Sequence, residues 1–343
     1  MSLTGKRVLI RVDGSHAIGL GHIYRMKALA QGLSERGAVP TFVTLLDGTA
    51  NRLLQATGLT VHAYAEGDLR DALAKVSQEF RPDWIIQDVL ATREDEVLYL
   101  KSLSAAKLIH FDDSGAGLRL ADVVINAFVY HWGEYAGYGS NTRLYEGAGL
   151  MILQKEIESY RGKPRAIVSQ ARQVTMGFGG TDTHGVTESV LTALRDLGGQ
   201  RFEVSVILGP GTLETPGLAT AVAQSPHKVV VKKGVADLFA EFNSSDLVLC
   251  GGGNSLYELA TLGIPSLAIA CEPHEAKNIA YWEKAGTTIG VGFRRQLHPD
   301  FSAVVDTLAN DQSRREAMAT AGRNVMSDSG LQKVLGILEA ELS

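Results

Sequence analysis

Short apolar runs recur along the chain, separated by stretches in which apolar residues return every three or four positions. Residues 8–12 form the first run, followed by a glycine-rich turn and a helix predicted over about 21–36. The runs at 41–45, 61–64, 84–86, 108–111 and 123–125 continue the series, with helical spacing around 50–57 and over 69–80. Continuous apolar runs of this length read as parallel strands buried on both faces, and the helical spacing reads as helices covering them. A polar connection covers about 154–170, and the rhythm then restarts. Strands are predicted at 174–178, 202–208, 228–231, 247–249 and 266–270, with helices running to about 197, near 215–224 and after the later strands. The last stretch, 314–342, is helical and broken around 328–330.

The repeated alternation predicts an α/β protein made of two Rossmann-like domains in tandem, and 343 residues exceed one ordinary core. The boundaries fall at 1–155 for the first domain and 165–326 for the second, with a final helix at 327–343 whose domain the sequence leaves open. Ligands of open parallel sheets lie beyond the carboxyl ends of the strands, so the two domains are expected to face a central cleft.

Composition adds exclusions. Apolar residues make up 45% and charged residues 21%, an ordinary globular balance, and the net charge of −5 offers no attraction for nucleic acid or a membrane surface. Cys250 and Cys271, the only two cysteines, sit at apolar runs and read as free thiols rather than a disulfide framework or a zinc site. No apolar segment precedes the first strand and none approaches a membrane span, so a cytoplasmic protein without stable membrane insertion is expected. No motif calls for a metal or a cofactor.

Four strand-to-helix loops carry candidate chemistry. The first runs from Asp13 to His22 and contains Gly14, Gly19 and Gly21. The third glycine position of a dinucleotide fingerprint holds Tyr24, and no Gly-Lys-Ser/Thr follows, which sets aside a dehydrogenase and a Walker loop. What remains is a flexible backbone at a helix N-terminus, with His22 in the first turn as a candidate general base. Capping or packing would explain a lone histidine there equally well. The second loop is Gly177-Phe178-Gly179-Gly180-Thr181-Asp182, where Thr181 or Asp182 suits an N-cap and the glycines admit close backbone approach. The third, Cys250-Gly251-Gly252-Gly253-Asn254-Ser255-Leu256-Tyr257-Glu258, opens a helix with three glycines, an anion-binding arrangement. Glu258 there is either a ribose ligand or the capping-box partner of Ser255. The fourth loop places His274, Glu275 and Asn278 at the mouth of the same sheet.

Together these residues carry a family resemblance. Arg11-Val12-Asp13-Gly14-Ser15, Ile18-Gly19-Leu20-Gly21-His22 and Arg25, with Phe111-Asp112-Asp113 and Gly179-Gly180-Thr181-Asp182, resemble the UDP-sugar hydrolase of pseudaminic acid biosynthesis. The second half, through Gly251–Gly253, Tyr257-Glu258-Leu259-Ala260, Leu262-Gly263-Ile264-Pro265, His274 and Asn278, is similar to the transferase that adds N-acetylglucosamine to peptidoglycan precursors. The resemblance implies the two-domain glycosyltransferase fold called GT-B and a UDP-sugar substrate. Gly252, Gly253, Asn254 and Ser255 would hold the diphosphate, Glu258 the ribose, and Val235 would border the uracil. Gly19, Gly21, Arg25, Asp88, Gly180, Thr181, His274, Glu275 and Asn278 would complete the binding residues. Two positions depart from the hydrolase: Gln87-Asp88-Val89-Leu90 replaces an Asp-His-Tyr run after the fourth strand, and Glu275 stands where glutamine is usual.

The leading expectation is hydrolysis of a UDP-linked acetamido-deoxysugar by water attack at the anomeric carbon. His22 would act as base toward water or as acid–base partner to the sugar, with Asp13 as an orienting or electrostatic partner. The alternatives are transfer of the sugar to an acceptor hydroxyl by the same loops, and a non-catalytic nucleotide-sugar binder.

Overall fold

The computed structural model describes residues 3–15, 18–129, 141–197 and 201–341. His16 and Ala17 of the first glycine-rich turn lie outside the described residues. The chain divides into two compact units, Met1–Gln154 with Asp328–Ser343, and Lys155–Ser327.

In the first unit the strands are β1 (Arg7–Val12), β2 (Val39–Leu45), β3 (Thr60–Tyr64), β4 (Trp84–Asp88), β5 (Lys107–Phe111), β6 (Val123–Asn126) and β7 (Arg143–Glu146). They are joined through α1 (Gly21–Glu35), α2 (Gly48–Gln55), α3 (Leu69–Phe80) and α4 (Glu94–Leu103). All neighbours pair in parallel, in the order β3-β2-β1-β4-β5-β6-β7. The pleat explains why β1 is apolar throughout. Val8, Ile10 and Val12 join Ile23, Met26 and Leu29 of α1 on one face, while Leu9 joins Leu73 and Val76 of α3 and Val97 of α4 on the other. Helix α2 starts on a side-chain cap: Asp47 accepts hydrogen bonds from the Thr49 and Ala50 amides at 2.9 Å each.

The second unit repeats the plan. It comprises β8 (Gln173–Gly177), α5 (Val186–Leu194), β9 (Glu203–Leu208), α6 (Pro216–Ala223), β10 (Lys228–Lys233), α7 (Leu238–Asn243) and β11 (Leu247–Gly251). These are followed by α8 (Asn254–Leu262), β12 (Ser266–Ala270), α9 (Glu275–Lys284), β13 (Thr288–Phe293), β14 (Gln296–Leu297), α10 (Phe301–Asn310) and α11 (Gln312–Val325). The order is β10-β9-β8-β11-β12-β13-β14, with β14 antiparallel to β13. The strand order reverses between β1 and β4 in one sheet and between β8 and β11 in the other. Such a switch point opens a crevice at the carboxyl ends of the flanking strands.

Three elements lack the expected apolar signature. β7 is an exposed edge strand with Leu144 40% accessible, β13 is interrupted by Gly290 and Gly292, and α4 begins with three consecutive acidic residues. Cys250 lies buried in β11, whereas Cys271 follows β12 and is only half-buried, and both are free.

The last helix, α12 (Gly330–Glu341), belongs to the first unit. Its start requires glycine, because a Cβ at Gly330 would sit 2.0 Å from the Met151 carbonyl oxygen. Leu331, Val334, Leu335 and Leu338 enter the first core beside α1. At its end the Glu341 carboxylate, fully buried, accepts from Lys107 Nζ at 2.8 Å, Arg143 Nη1 at 2.9 Å and the Tyr145 hydroxyl at 2.7 Å. Replacing Glu341 by alanine is expected to lower the unfolding free energy by about 2–3 kcal/mol, since three donors lose one shared acceptor. A lowered urea midpoint with an unchanged slope would register it. Among the described residues no helix is long and apolar enough to cross a membrane.

Candidate active site

Each switch point gathers a distinct set of side chains. In the first unit, the turn after β1 is held tight by glycine: a Cβ at Gly14 would meet Ile23 Cγ1 at 2.5 Å, and Gly19 has φ +87°. Gly21 opens α1, which places His22 and Arg25, three residues apart, on one side of its first turns. The parallel register of β1 and β4 sets Val12 beside Asp88. Asp88 thereby meets both α1 residues: His22 Nδ1 lies 2.7 Å from Asp88 Oδ1, and Arg25 Nε donates to Asp88 Oδ2 at 2.8 Å. Arg25 also donates through Nη2 to Asp88 Oδ1 and through Nη1 to Asp112 Oδ2. Asp112 in turn accepts the Phe128 amide at 2.8 Å, and the Arg25 guanidinium stacks 5.5 Å from the Phe128 ring.

Burial alone would push the Asp88 carboxyl up, but Arg25 and His22 outweigh it and hold it down at about 2. An ionised carboxylate only accepts hydrogen bonds, so Nδ1 of His22 carries a proton toward Asp88 and Nε2 is the ring nitrogen left facing away from it. With 18% of its side chain accessible, His22 is the exposed member of the cluster, while Asp88 and Arg25 are buried.

This arrangement corrects three expectations. Asp13 does not orient His22: its carboxylate accepts the Leu45 amide at 2.7 Å and the Tyr64 hydroxyl at 2.9 Å, tying β1 to β2 and β3. Asp88, 0% exposed, has both oxygens engaged by His22 and Arg25 and faces those side chains rather than the surface. Arg25, 2% exposed and bonded to two carboxylates, likewise positions the cluster rather than binding substrate. Gln87 points to the opposite side of β4, where Arg11 Nη1 donates to it at 3.0 Å and its own Nε2 lies 2.9 Å from His110 Nε2. His110 Nδ1 continues to Asp113 Oδ2 at 2.7 Å, and Asp113 accepts the Thr92 and Gly115 amides at 2.8 Å each. That buried chain fastens the turns after β4 and β5 to each other.

In the second unit, Gly180 and Thr181 follow β8. The Gly180 carbonyl accepts the Gly211 amide at 2.8 Å, and a Cβ at Gly209 would lie 2.4 Å from that oxygen, so this turn packs backbone on backbone. Thr181 is buried, its hydroxyl 3.0 Å from that of Thr183. Asp182 serves α5, accepting the Val186 amide at 2.8 Å and the Thr187 amide at 3.1 Å. After β11, Gly252 and Gly253 lead into α8, whose N-cap is Gly253 and whose first turn, with Asn254 and Ser255, holds no acidic side chain. The helix therefore starts without a side-chain cap, leaving its N-terminus suited to an anion.

Glu258 lies beyond that first turn. Ser255 is inside the helix rather than at its cap, so the capping-box alternative fails. Among the described residues none donates a hydrogen bond to the Glu258 carboxylate, and burial pushes its pKa up to about 7. The residue is 7% exposed. Two further expectations are corrected in the fourth loop. Glu275 Oε2 accepts the amides of Cys271 at 2.6 Å, Gly252 at 3.3 Å and Glu272 at 3.3 Å, while Asn278 Nδ2 donates to the Gly252 carbonyl at 2.5 Å. Tyr257 reaches the Asn278 amide oxygen at 3.0 Å. Glu275 and Asn278 thus grip Gly252 from both sides instead of facing a ligand. His274 is half-buried at the N-cap of α9, and Val235 is half-buried in the turn between β10 and α7. His184 and Arg294, which the sequence did not mark as candidates, both pair with Glu272 of the fourth loop and join turns far apart in the chain. Among the described residues no three His, Cys, Asp or Glu side chains are grouped to hold a metal ion.

Two tandem parallel-sheet Rossmann-like domains define the GT-B fold. The crystal structure of Acinetobacter baumannii MurG matches the chain with a TM-score of 0.70 at 15% identity, covering 98% of this chain and 99% of that one. The chain is also similar in sequence to the spore coat polysaccharide biosynthesis protein SpsG of Bacillus subtilis (strain 168). The two are 23% identical over 334 residues, covering 96% of this chain and 97% of SpsG. It is 24% identical over 336 residues to the UDP-N-acetylglucosamine--N-acetylmuramyl-(pentapeptide) pyrophosphoryl-undecaprenol N-acetylglucosamine transferase of Listeria monocytogenes serovar 1/2a, covering 92% of this chain and 88% of that enzyme. No protein-family model matches the sequence.

Proposed function

We propose that the chain is a GT-B glycosyltransferase that moves a sugar from a UDP-sugar to an acceptor hydroxyl, in polysaccharide biosynthesis. The observation that carries this reading is the content of the two switch points: a histidine held by a carboxylate in one sheet, and in the other a glycine-loop helix that starts without a side-chain cap and carries a buried carboxyl, Glu258, with its pKa raised by burial. The amides of residues 253–255 hold the diphosphate, Glu258 accepts from the ribose hydroxyls, Gly180 and Thr181 flank the phosphates, and Val235 borders the uracil. His22 Nε2 removes the proton of the acceptor hydroxyl as its oxygen bonds to the anomeric carbon. The bond from that carbon to the UDP oxygen breaks, and UDP leaves with the electron pair. Asp88 stabilises the imidazolium that forms. The carboxylates beside His22 are both engaged by Arg25, so neither serves as a nucleophile, and a single displacement with inversion of the anomeric centre follows.

Hydrolysis would use the same base with water as the acceptor. The similarity to the Listeria transferase, and to a protein named for polysaccharide biosynthesis, supports transfer over the hydrolysis suggested by the first-half motifs. A purely binding role leaves the His22–Asp88 pair without a purpose. The nucleotide half is tested by calorimetry with UDP, CDP and ADP. UDP is expected to bind preferentially, and Gly252→Ala to weaken it by about tenfold or more, because a Cβ there would sit 2.7 Å from Glu275 Cβ and displace the loop. No UDP binding by the unaltered chain would overturn the reading.

A further inference from the structure

An ion-pair strap joins the turns after β8, β12 and β13. His184, in the turn after β8, places Nε2 2.7 Å from Glu272 Oε1, and Arg294, directly after β13, donates from Nη2 to Glu272 Oε2 at 3.1 Å. Arg294 Nε further donates to the Cys271 carbonyl at 3.0 Å. β8 and β12 are the two neighbours of β11, each about 4.8 Å from it. A link from the turn after β8 to the turn after β12 therefore passes over the end of β11, where Gly252 and Gly253 lead into α8.

The charge around that loop demands cations. Asp182, Glu258, Glu272 and Glu275 all belong to the turns and helix starts at this edge, and Glu275 already occupies the Gly252 amide. A diphosphate seated there would approach the carboxylates of Glu272 and Glu275. Of the cations on the same loops, Arg295 is turned to Glu188 and Ser189 of α5, and Lys277 is exposed on the first turn of α9. His184 and Arg294 are held beside the loop, both by Glu272.

We propose that Glu272 parks His184 and Arg294 beside the glycine loop in the nucleotide-free chain, and that the Arg294 guanidinium, with the His184 ring alongside it, transfers to the diphosphate of the incoming nucleoside diphosphate sugar. The inference rests on the assignment of the β11–α8 turn as the diphosphate site. Binding exchanges one carboxylate for a more highly charged anion, and the strap closes over the ligand. The Glu272 side chain, 41% accessible, is released to solvent with little loss.

The test is calorimetry of the full chain with UDP and with uridine. Glu272→Gln is expected to tighten UDP up to about fivefold, the worth of the partly exposed pairs it removes, and to leave uridine unchanged. Arg294→Gln is expected to weaken UDP by about tenfold, again without effect on uridine, and to abolish the gain from Glu272→Gln in the double variant. A strap that merely fastens loops predicts the reverse for Glu272→Gln. Unchanged or weaker UDP binding in that variant overturns the proposal, while failure of the unaltered chain to bind UDP overturns the assignment beneath it.

Discussion

His22→Asn is expected to slow sugar transfer by about 10²- to 10⁴-fold, the usual contribution of a positioned acid–base group. Asparagine is the informative replacement because its amide can still donate to Asp88 from the place of Nδ1, so Asp88 and Arg25 keep their arrangement. What disappears is the Nε2 lone pair. UDP affinity should change little, since the proposed nucleotide contacts belong to the second unit. A fall in kcat with an unchanged UDP dissociation constant is the expected pattern, measured by product formation and calorimetry on the same preparation. Asp88→Asn makes a poorer test. Arg25 is 2% exposed and would lose the charge of its bidentate partner, a disruption worth about 3–5 kcal/mol of stability. Loss of activity there would report on folding as much as on chemistry.

Glu258→Gln is expected to have opposite effects on stability and on nucleotide recognition. Burial raises this carboxyl from an ordinary 4.5 to about 7. A carboxyl raised on folding contributes stability that is fully present below about pH 4.5 and is lost as the pH rises through 7. The rise corresponds to roughly 3 kcal/mol, so the glutamine variant should be more stable than the parent by up to that amount at pH 8 and nearly equal to it at pH 4. Urea unfolding at the two pH values measures the difference. Binding goes the other way. The ionised carboxylate accepts from the ribose hydroxyls, and its loss should weaken UDP by about 10- to 100-fold at pH 8. The same substitution should remove discrimination against 2′-deoxy-UDP, and in the parent that discrimination should fade below pH 7. Equal UDP affinity in parent and variant at pH 8 would remove Glu258 from the site.

Much of the architecture was legible because buried parallel strands advertise themselves. The runs at 8–12, 84–86, 247–249 and 266–270 coincide with β1, β4, β11 and β12, the strands that frame the two switch points. β7 and β13 were hidden, one by exposure at a sheet edge and the other by its glycines. The glycine turns and His22 were also visible as motifs. Partners were not. Asp13 is close to His22 in the chain, yet the β1–β4 register brings Asp88, 66 residues away, to its ring. Glu275 and Asn278 had the composition of ligand-binding residues, but backbone groups of Gly252, Cys271 and Glu272 reach them first. Polar residues at a strand end can face a ligand or their own turn, and only the packed backbone decides between the two.

The most direct measurement is UDP release from a panel of UDP-sugars, with and without hydroxyl acceptors, by the parent chain and by His22→Asn. The account predicts release from at least one UDP-sugar that depends on the acceptor, yields a glycosylated product of inverted anomeric configuration, and is nearly abolished in His22→Asn. Release that proceeds equally without an acceptor would contradict transfer in favour of hydrolysis, and release that survives His22→Asn would contradict the role assigned to the His22–Asp88 pair.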